Sequence, residues 1–240
     1  MHQKTFQHLR DLAYEKAGID LGPAKEALVA ARVGKRMRAL DLPSEEAYAD
    51  FLAADESGKE LVHFLDAIST NFTSFFREAD HFETLKELVR PKMAAGQRRS
   101  RFWSAACSSG EEPYTMAIAL AELLERPGVD WRILASDIST RVLAAATEGV
   151  YREEQVRAVP AHLRNRYFLH RHGIPSEDDL YRVSTALKDR ITFRRINLST
   201  PPVPMNGPLD AVFCRNVMIY FDTRVRQGLI SEIERMLCPG

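Results

Sequence analysis

Between Arg101 and Glu148 the chain alternates short β-rich runs with helical ones: Arg101 to Ala106, Pro113 to Leu124, Trp131 to Ser136, then Thr140 to Glu148. Strands separated by helical segments of this length predict a parallel sheet of the α/β class. The first unit is the most informative. Phe102-Trp103-Ser104-Ala105-Ala106-Cys107-Ser108-Ser109-Gly110-Glu111-Glu112-Pro113-Tyr114 reads as a strand, a turn of small residues and a helix. In a doubly wound sheet, ligands sit where such a strand ends. Small side chains from Ser104 to Gly110 let a ligand approach the main chain, and Pro113 suits a first helical turn, where its missing N–H has no partner to lose.

That geometry favours a nucleoside. The turn holds two carboxylates and one glycine, so it departs from GxGxxG and makes a poor cradle for a pyrophosphate. A ligand with a cationic part and no phosphates fits better, and S-adenosylmethionine, with its sulfonium and amino group, has that chemistry. Glutamates in a first turn also favour the helix dipole by themselves, which is an equal account of Glu111. The second strand ends in Asp137, where a carboxylate can accept both hydroxyls of a ribose, while Ser139 is the better cap for the helix that follows. A third strand end gives Ile196-Asn197-Leu198. A fourth run, Asp210 to Phe221, is apolar except at Arg215 and Asn216, at the edge where packing alone prefers apolar residues.

Upstream, apolar residues recur at helical spacing in Phe6, Leu9, Leu12 and Ala13, then in Val29, Val33, Met37 and Leu40, so residues 1–70 read as an N-terminal helical domain. Pro43 closes one element and Ser44 caps the next. Lys25, Arg32, Lys35 and Arg36 fall on one arc beside the apolar stripe. From Asp41 to Asp66 the sign reverses, with Asp41, Glu45, Glu46, Asp50, Asp55, Glu56, Glu60 and Asp66 against Lys59 alone. A solvated charged face is the ordinary use of this pattern, and a dock for an acidic partner helix is the functional one. Residues 150–190, with Tyr151, Tyr167, Phe168, Tyr181 and many charges, interrupt the α/β alternation and read as an inserted subdomain.

Lys plus Arg and Asp plus Glu each number 33. That balance argues against nucleic acid as a partner. Cys107, Cys214 and Cys238 stand too far apart in sequence for a CxxC metal pair or a disulfide framework, and a reducing, cytoplasmic setting is expected. No apolar run approaches the roughly 20 residues of a membrane span, so neither an anchor nor membrane insertion is expected.

These segments, with Thr70-Asn71-Phe72-Thr73-Ser74-Phe75-Phe76-Arg77-Glu78 upstream, resemble the CheR family of chemotaxis receptor methyltransferases. The resemblance rests on five ordered motifs: that stretch, SxGEEPY at 108–114, Ala135-Ser136-Asp137-Ile138, Ile196-Asn197-Leu198 and CRNVMIYF at 214–221. It implies a class I methyltransferase (Rossmann-like) doubly wound sheet over residues 71–240, an all-α domain before it and a small β subdomain inserted at 150–190. It further implies S-adenosylmethionine held by Asn71, Thr73, Arg77, Glu112, Asp137, Asn197, Leu198, Arg215 and Asn216, with adenine near Asn197 and Leu198. Its product would be S-adenosylhomocysteine. Lys25, Arg32, Lys35 and Arg36 would meet the cytoplasmic helices of chemoreceptors, whose glutamates are the methyl acceptors. Members of the family run on past the equivalent of Leu237-Cys238-Pro239-Gly240 with two more strands and a GHSE-like motif, so the sheet is expected to lack its last strand pair.

A glutamate carboxylate, with a reference pKa of about 4.3, is already an anionic nucleophile at neutral pH, so neither a general base nor a metal is expected. Arg77, with its fork of donors, and Tyr220, with one hydroxyl, are the candidate catalytic residues. Two other readings use the same residues: a methyltransferase of a different substrate, and a non-catalytic module that binds S-adenosylmethionine or receptor.

Overall fold

The computed structural model describes residues 1–69, 71–170 and 179–238. Thr70 of the first motif, residues 171–178 of the insertion and Pro239-Gly240 lie outside the described residues.

Four helices open the chain: α1 (Gln3–Ala17), α2 (Glu26–Leu40), α3 (Glu45–Ala54) and α4 (Lys59–Ile68). The helical stripes turn inward as their spacing requires, and Phe6, Leu9, Ala13, Val29 and Val33 pack with Tyr48, Leu52, Phe64, Leu65 and Ile68. Ser44 caps α3, its hydroxyl accepting from the Ala47 amide at 3.1 Å. α1 ends at Gly18, whose left-handed φ of 66° returns its amide to the carbonyls of Ala13 and Tyr14. A Cβ there would lie 2.4 Å from that of Ser199, so the tight stop also lets α1 meet a loop far along the chain.

The acidic run is not uniformly solvated. Glu60, only 4% exposed, accepts from Arg36 at 2.9 and 2.6 Å and from the Tyr48 hydroxyl at 2.9 Å. A buried charge is tolerated only when paired and hydrogen-bonded, and α2 supplies that pairing across the bundle.

After α5 (Asp80–Ala94) come β1 (Arg99–Ala105), α6 (Glu111–Leu124), β2 (Asp130–Asp137) and α7 (Thr140–Glu148). The insertion holds β3 (Val150–Arg152), α8 (Glu153–Val156), α9 (Ala161–Tyr167), β4 (Phe168–His170), β5 (Leu180–Val183) and α10 (Thr185–Lys188). Its strands form an antiparallel sheet in the order β3-β5-β4. Phe75 joins it to the main body, edge-on to Tyr151 and Phe168 with ring centroids 4.9 and 5.5 Å away.

β6 (Ile191–Arg195), β7 (Ala211–Cys214), a 3-10 turn at Met218–Tyr220 and α11 (Thr223–Met236) complete the described chain. Among the described residues the main sheet is parallel, in the order β6-β2-β1-β7, with Trp103 opposite Leu134 and Val212. The chain therefore winds outward from β1 through β2 to β6, then crosses back to pair β7 with the other side of β1. The point of reversal, at the carboxyl end of β1, is where a crevice opens in such sheets. The apolar run 210–221 is strand only as far as Cys214, because Asn216 takes a φ of 57° and turns the chain. No described helix is long and apolar enough to cross a membrane.

Candidate functional site

The turn after β1 is forced into an unusual path, with positive φ at Ala106 (63°), Ser108 (49°) and Gly110 (99°). A Cβ on Gly110 would lie 2.8 Å from the Tyr151 hydroxyl and 2.9 Å from the Ala146 methyl, so glycine is required there on both counts. The turn separates the two carboxylates that follow. Glu111 is buried facing the insertion, accepting from Ser109 at 2.7 Å and Gln155 at 3.3 Å. Glu112 lines the crevice, accepting from Ser104 at 2.7 Å and Arg215 at 3.3 Å. Only one of the pair therefore stands beside the ligand space. Burial raises the pKa of both; at Glu112 desolvation outweighs the Ser104 hydrogen bond and the Arg215 charge.

Asp137 ends β2 and is 7% exposed. Its Oδ2 accepts from the Ser108 amide at 2.9 Å and its Oδ1 from the Ser139 amide at 3.0 Å, which ties the two strand-end turns together. Each oxygen keeps a lone pair for a further donor. Desolvation raises this carboxyl's pKa, with the backbone amides opposing. Ser139 caps α7, accepting from Val142 at 3.2 Å.

A crevice of about 1160 Å³, including solvent at its mouth, lies over these strand ends. Asn71, Thr73, Arg77, Glu112, Asp137, Asn197, Leu198, Arg215 and Asn216 all line it, as does Tyr220, although they come from five separated stretches of sequence. Arg215 is held by Glu112 and by Glu78 at 3.0 Å, donates to the Arg77 carbonyl, and lies against the rings of Phe82 and Phe213. Arg77 donates to the Phe72 carbonyl at 3.2 Å, with its guanidinium 5.7 Å from the Phe72 ring centroid. The polar atoms of Asn197 are already occupied: Nδ2 donates to Lys16 and Thr200, and Oδ1 accepts from the amide and hydroxyl of Ser199.

One wall was invisible to sequence reasoning. Ile19, Leu21, Lys25 and Leu28, from the end of α1 to the start of α2, close the crevice from the helical side. The sequence places Lys25 on the basic arc, and the apolar residues beside it form a segment too short to read as an element. Lys25 lies in a 3-10 turn before α2, donates to the Asp20 carbonyl at 3.2 Å and places its ammonium 5.2 Å over the Tyr220 ring. The four cations proposed as one docking face are thus used differently. Lys25 belongs to the crevice, Arg32 donates to the Ala67 carbonyl at 2.8 Å, Arg36 is committed to Glu60, and Lys35 is exposed.

The crevice can be tested against the expected ligand. Asn71, in its wall, carries a buried side-chain N–H group with no partner among the described residues, a state that costs about 1–3 kcal/mol until an acceptor arrives. Two carboxylates face the space, Glu112 toward Arg215 and Asp137 at the end of β2. Carboxylates, an unsatisfied amide and apolar walls suit a nucleoside with a cationic substituent. Among the described residues no group of three or more His, Cys, Asp or Glu is placed to hold a metal ion.

The family model described as "CheR methyltransferase, SAM binding domain" matches residues 71–240, and that described as "CheR methyltransferase, all-alpha domain" matches residues 4–69. The chain is 38% identical over 234 residues to the "Chemotaxis protein methyltransferase" of Salmonella typhimurium, covering 98% of this chain and 79% of that one. It is 40% identical over 237 residues to "Chemotaxis protein methyltransferase 2" of Pseudomonas aeruginosa, with 99% and 83% covered. With the Escherichia coli "Chemotaxis protein methyltransferase" it shares 38% identity over 237 residues, with 98% and 80% covered.

Proposed function

The chain belongs to the CheR methyltransferase family, and from that premise we propose that it methylates glutamate side chains on the cytoplasmic helices of chemoreceptors, in the cytoplasm. It is an S-adenosylmethionine-dependent methyltransferase; nothing in the relatives favours a non-catalytic binding module. In this reading residues 1–70 meet the receptor, residues 71–240 hold the cofactor and carry the chemistry, and residues 150–190 form the inserted β subdomain.

The observation that carries the glutamate assignment is the positive charge lining the crevice beside Tyr220. Lys25 has no carboxylate partner among the described residues, Arg77 stands 3.9 Å from its nearest one, and both line the space that Tyr220 borders. An acidic side chain entering there meets two cations and a hydroxyl. S-adenosylmethionine supplies a methyl group on a sulfonium; its transfer to a carboxylate oxygen makes an ester and leaves the electron pair of the broken bond on sulfur. No proton changes hands, so the residues need only bind, orient and exclude water. Arg77 orients the incoming carboxylate through its fork of donors, and Tyr220 fixes its position with one hydroxyl. Ile19, Leu21, Leu28 and Phe72 dry the approach.

Incubation with radiolabelled S-adenosylmethionine and a chemoreceptor cytoplasmic fragment tests this. Base-labile label is expected, because esters hydrolyse in base. Base-stable label, or none, overturns the glutamate assignment.

A further inference from the structure

A second cavity, about 760 Å³ with its open mouth, lies beside the crevice and shares Ser69, Asn71 and Phe72 with it. Two arginines face it from different elements: Arg32 on α2 and Arg141 in the first turn of α7. Among the described residues no carboxylate lines it. Among the described residues Arg32 spends one donor on the Ala67 carbonyl and has no ion pair, and Arg141 has neither a hydrogen bond nor an ion pair. Phe72, 75% exposed, lines both this cavity and the crevice.

In a chain with a formal net charge of zero, two uncompensated guanidinium groups around one carboxylate-free hollow are a local anion site. Arginine also matches carboxylate geometry better than any other side chain. Because the hollow shares a wall with the reaction crevice, its occupant is part of, or adjacent to, whatever enters the crevice. We propose that it is a second carboxylate subsite, taking an acidic side chain of the same substrate segment that presents the reacting glutamate, with Phe72 lining both. This rests on the glutamate reading above and adds a substrate requirement: two acidic side chains, one for each cavity.

The test uses the full chain and a chemoreceptor cytoplasmic fragment in which acidic residues near the methylated position are changed to Gln one at a time. Arg141→Ala should raise the KM for the fragment about five- to tenfold, Arg141→Glu should raise it further, and Arg141→Lys should restore only part of the loss. Throughout, kcat and the cofactor Kd should stay within about twofold, since Arg141 lies outside the crevice. Arg90→Ala, on the exposed surface of α5, is the control for general charge loss. One Glu→Gln change in the fragment should raise KM for the wild type and leave Arg141→Ala insensitive. An unchanged KM in Arg141→Ala, a weakened cofactor Kd, or simple additivity with every fragment variant overturns the subsite. Fragment binding measured by calorimetry separates the two proposals. Arg141-dependent binding without base-labile label sinks the glutamate transfer and keeps the subsite, while label with Arg141-independent binding does the reverse.

Discussion

The side-chain amide of Asn197 donates to the main-chain carbonyl of Lys16 at 2.8 Å, tying the loop after β6 to the last turn of α1. The same amide holds Thr200, and its oxygen holds Ser199, against which Gly18 packs. Asn197 thus joins the helical wall of the crevice to the sheet that floors it.

Asn197→Ala is therefore expected to act first on this junction. The Lys16 carbonyl and Ser199 amide lose a partner at a partly exposed site, so the loss of stability should be about 1–2 kcal/mol. Cofactor affinity should fall with it, because the wall bearing Ile19 and Leu21 is no longer held. Thermal unfolding and calorimetry on the same preparation check both. A lower affinity with unchanged Tm would instead point to direct contact between Asn197 and the ligand.

The Arg36–Glu60 pair yields a different expectation from its place on the basic arc. Arg36→Ala strands a carboxylate that is 4% exposed, which should cost about 2–3 kcal/mol, less than for a fully buried pair because Arg36 keeps 22% of its side-chain exposure. Reversing the charge should be worse. Replacing both residues with apolar ones of similar size should recover much of the loss. Denaturant unfolding measures it, and an unperturbed midpoint in Arg36→Ala would return this residue to the docking face.

What local rules govern was legible before the structure. Ser44 and Ser139 were read as caps because a cap is decided within four residues, and the β1–α6 unit because a β-rich run gives way to a helix at a turn of small residues. Glu60 was misread because its partner lies 24 residues earlier on another helix. Glu111 and Glu112 are neighbours in sequence but face opposite ways once Gly110 has set the turn. α5 went unread because its inward stripe is only Phe82, Leu85 and Val89, with Pro91 near its end. The helical wall of the crevice exists only through tertiary contact, so no window of sequence carries it.

The raised carboxyl groups of Glu112 and Asp137 predict opposite pH effects on binding and stability. In the folded, unliganded chain each takes up its proton at a higher pH than when unfolded, so between the usual carboxylate range and the raised value the native state binds more protons. Their contribution to stability therefore grows as pH falls through that window and is lost as pH rises. A cationic ligand needs the ionised form. Its affinity should fall with acidification already above the usual carboxylate range, by at most about tenfold per pH unit for each group. Calorimetric titration from neutral pH down toward the usual carboxylate range follows the effect. Glu112→Gln should weaken neutral-pH affinity and flatten the profile; a profile unchanged by that substitution would remove Glu112 from cofactor binding.

Arg77 and Tyr220 lie more than a hundred residues apart in sequence and line the same crevice, beside Lys25. If Tyr220 positions the reacting carboxylate, Tyr220→Phe should lower kcat more than it weakens cofactor binding, because the lost hydroxyl matters most in the aligned state. Packing should hold, since the ring stays beneath Lys25 and the Tyr220 carbonyl still accepts from Asp20 at 2.8 Å. Arg77→Ala removes the guanidinium that braces Phe72 and faces the crevice, so kcat/KM should drop strongly, by about 10²-fold or more if it orients the nucleophile. Two residues acting on one carboxylate give non-additive losses, so the double variant should lose less than the sum of the singles. Single-turnover rates at saturating cofactor measure all three. Additive losses in folded proteins, or full turnover in Tyr220→Phe, would make Arg77 a brace for the 71–77 segment and Tyr220 a packing residue, leaving alignment to Lys25.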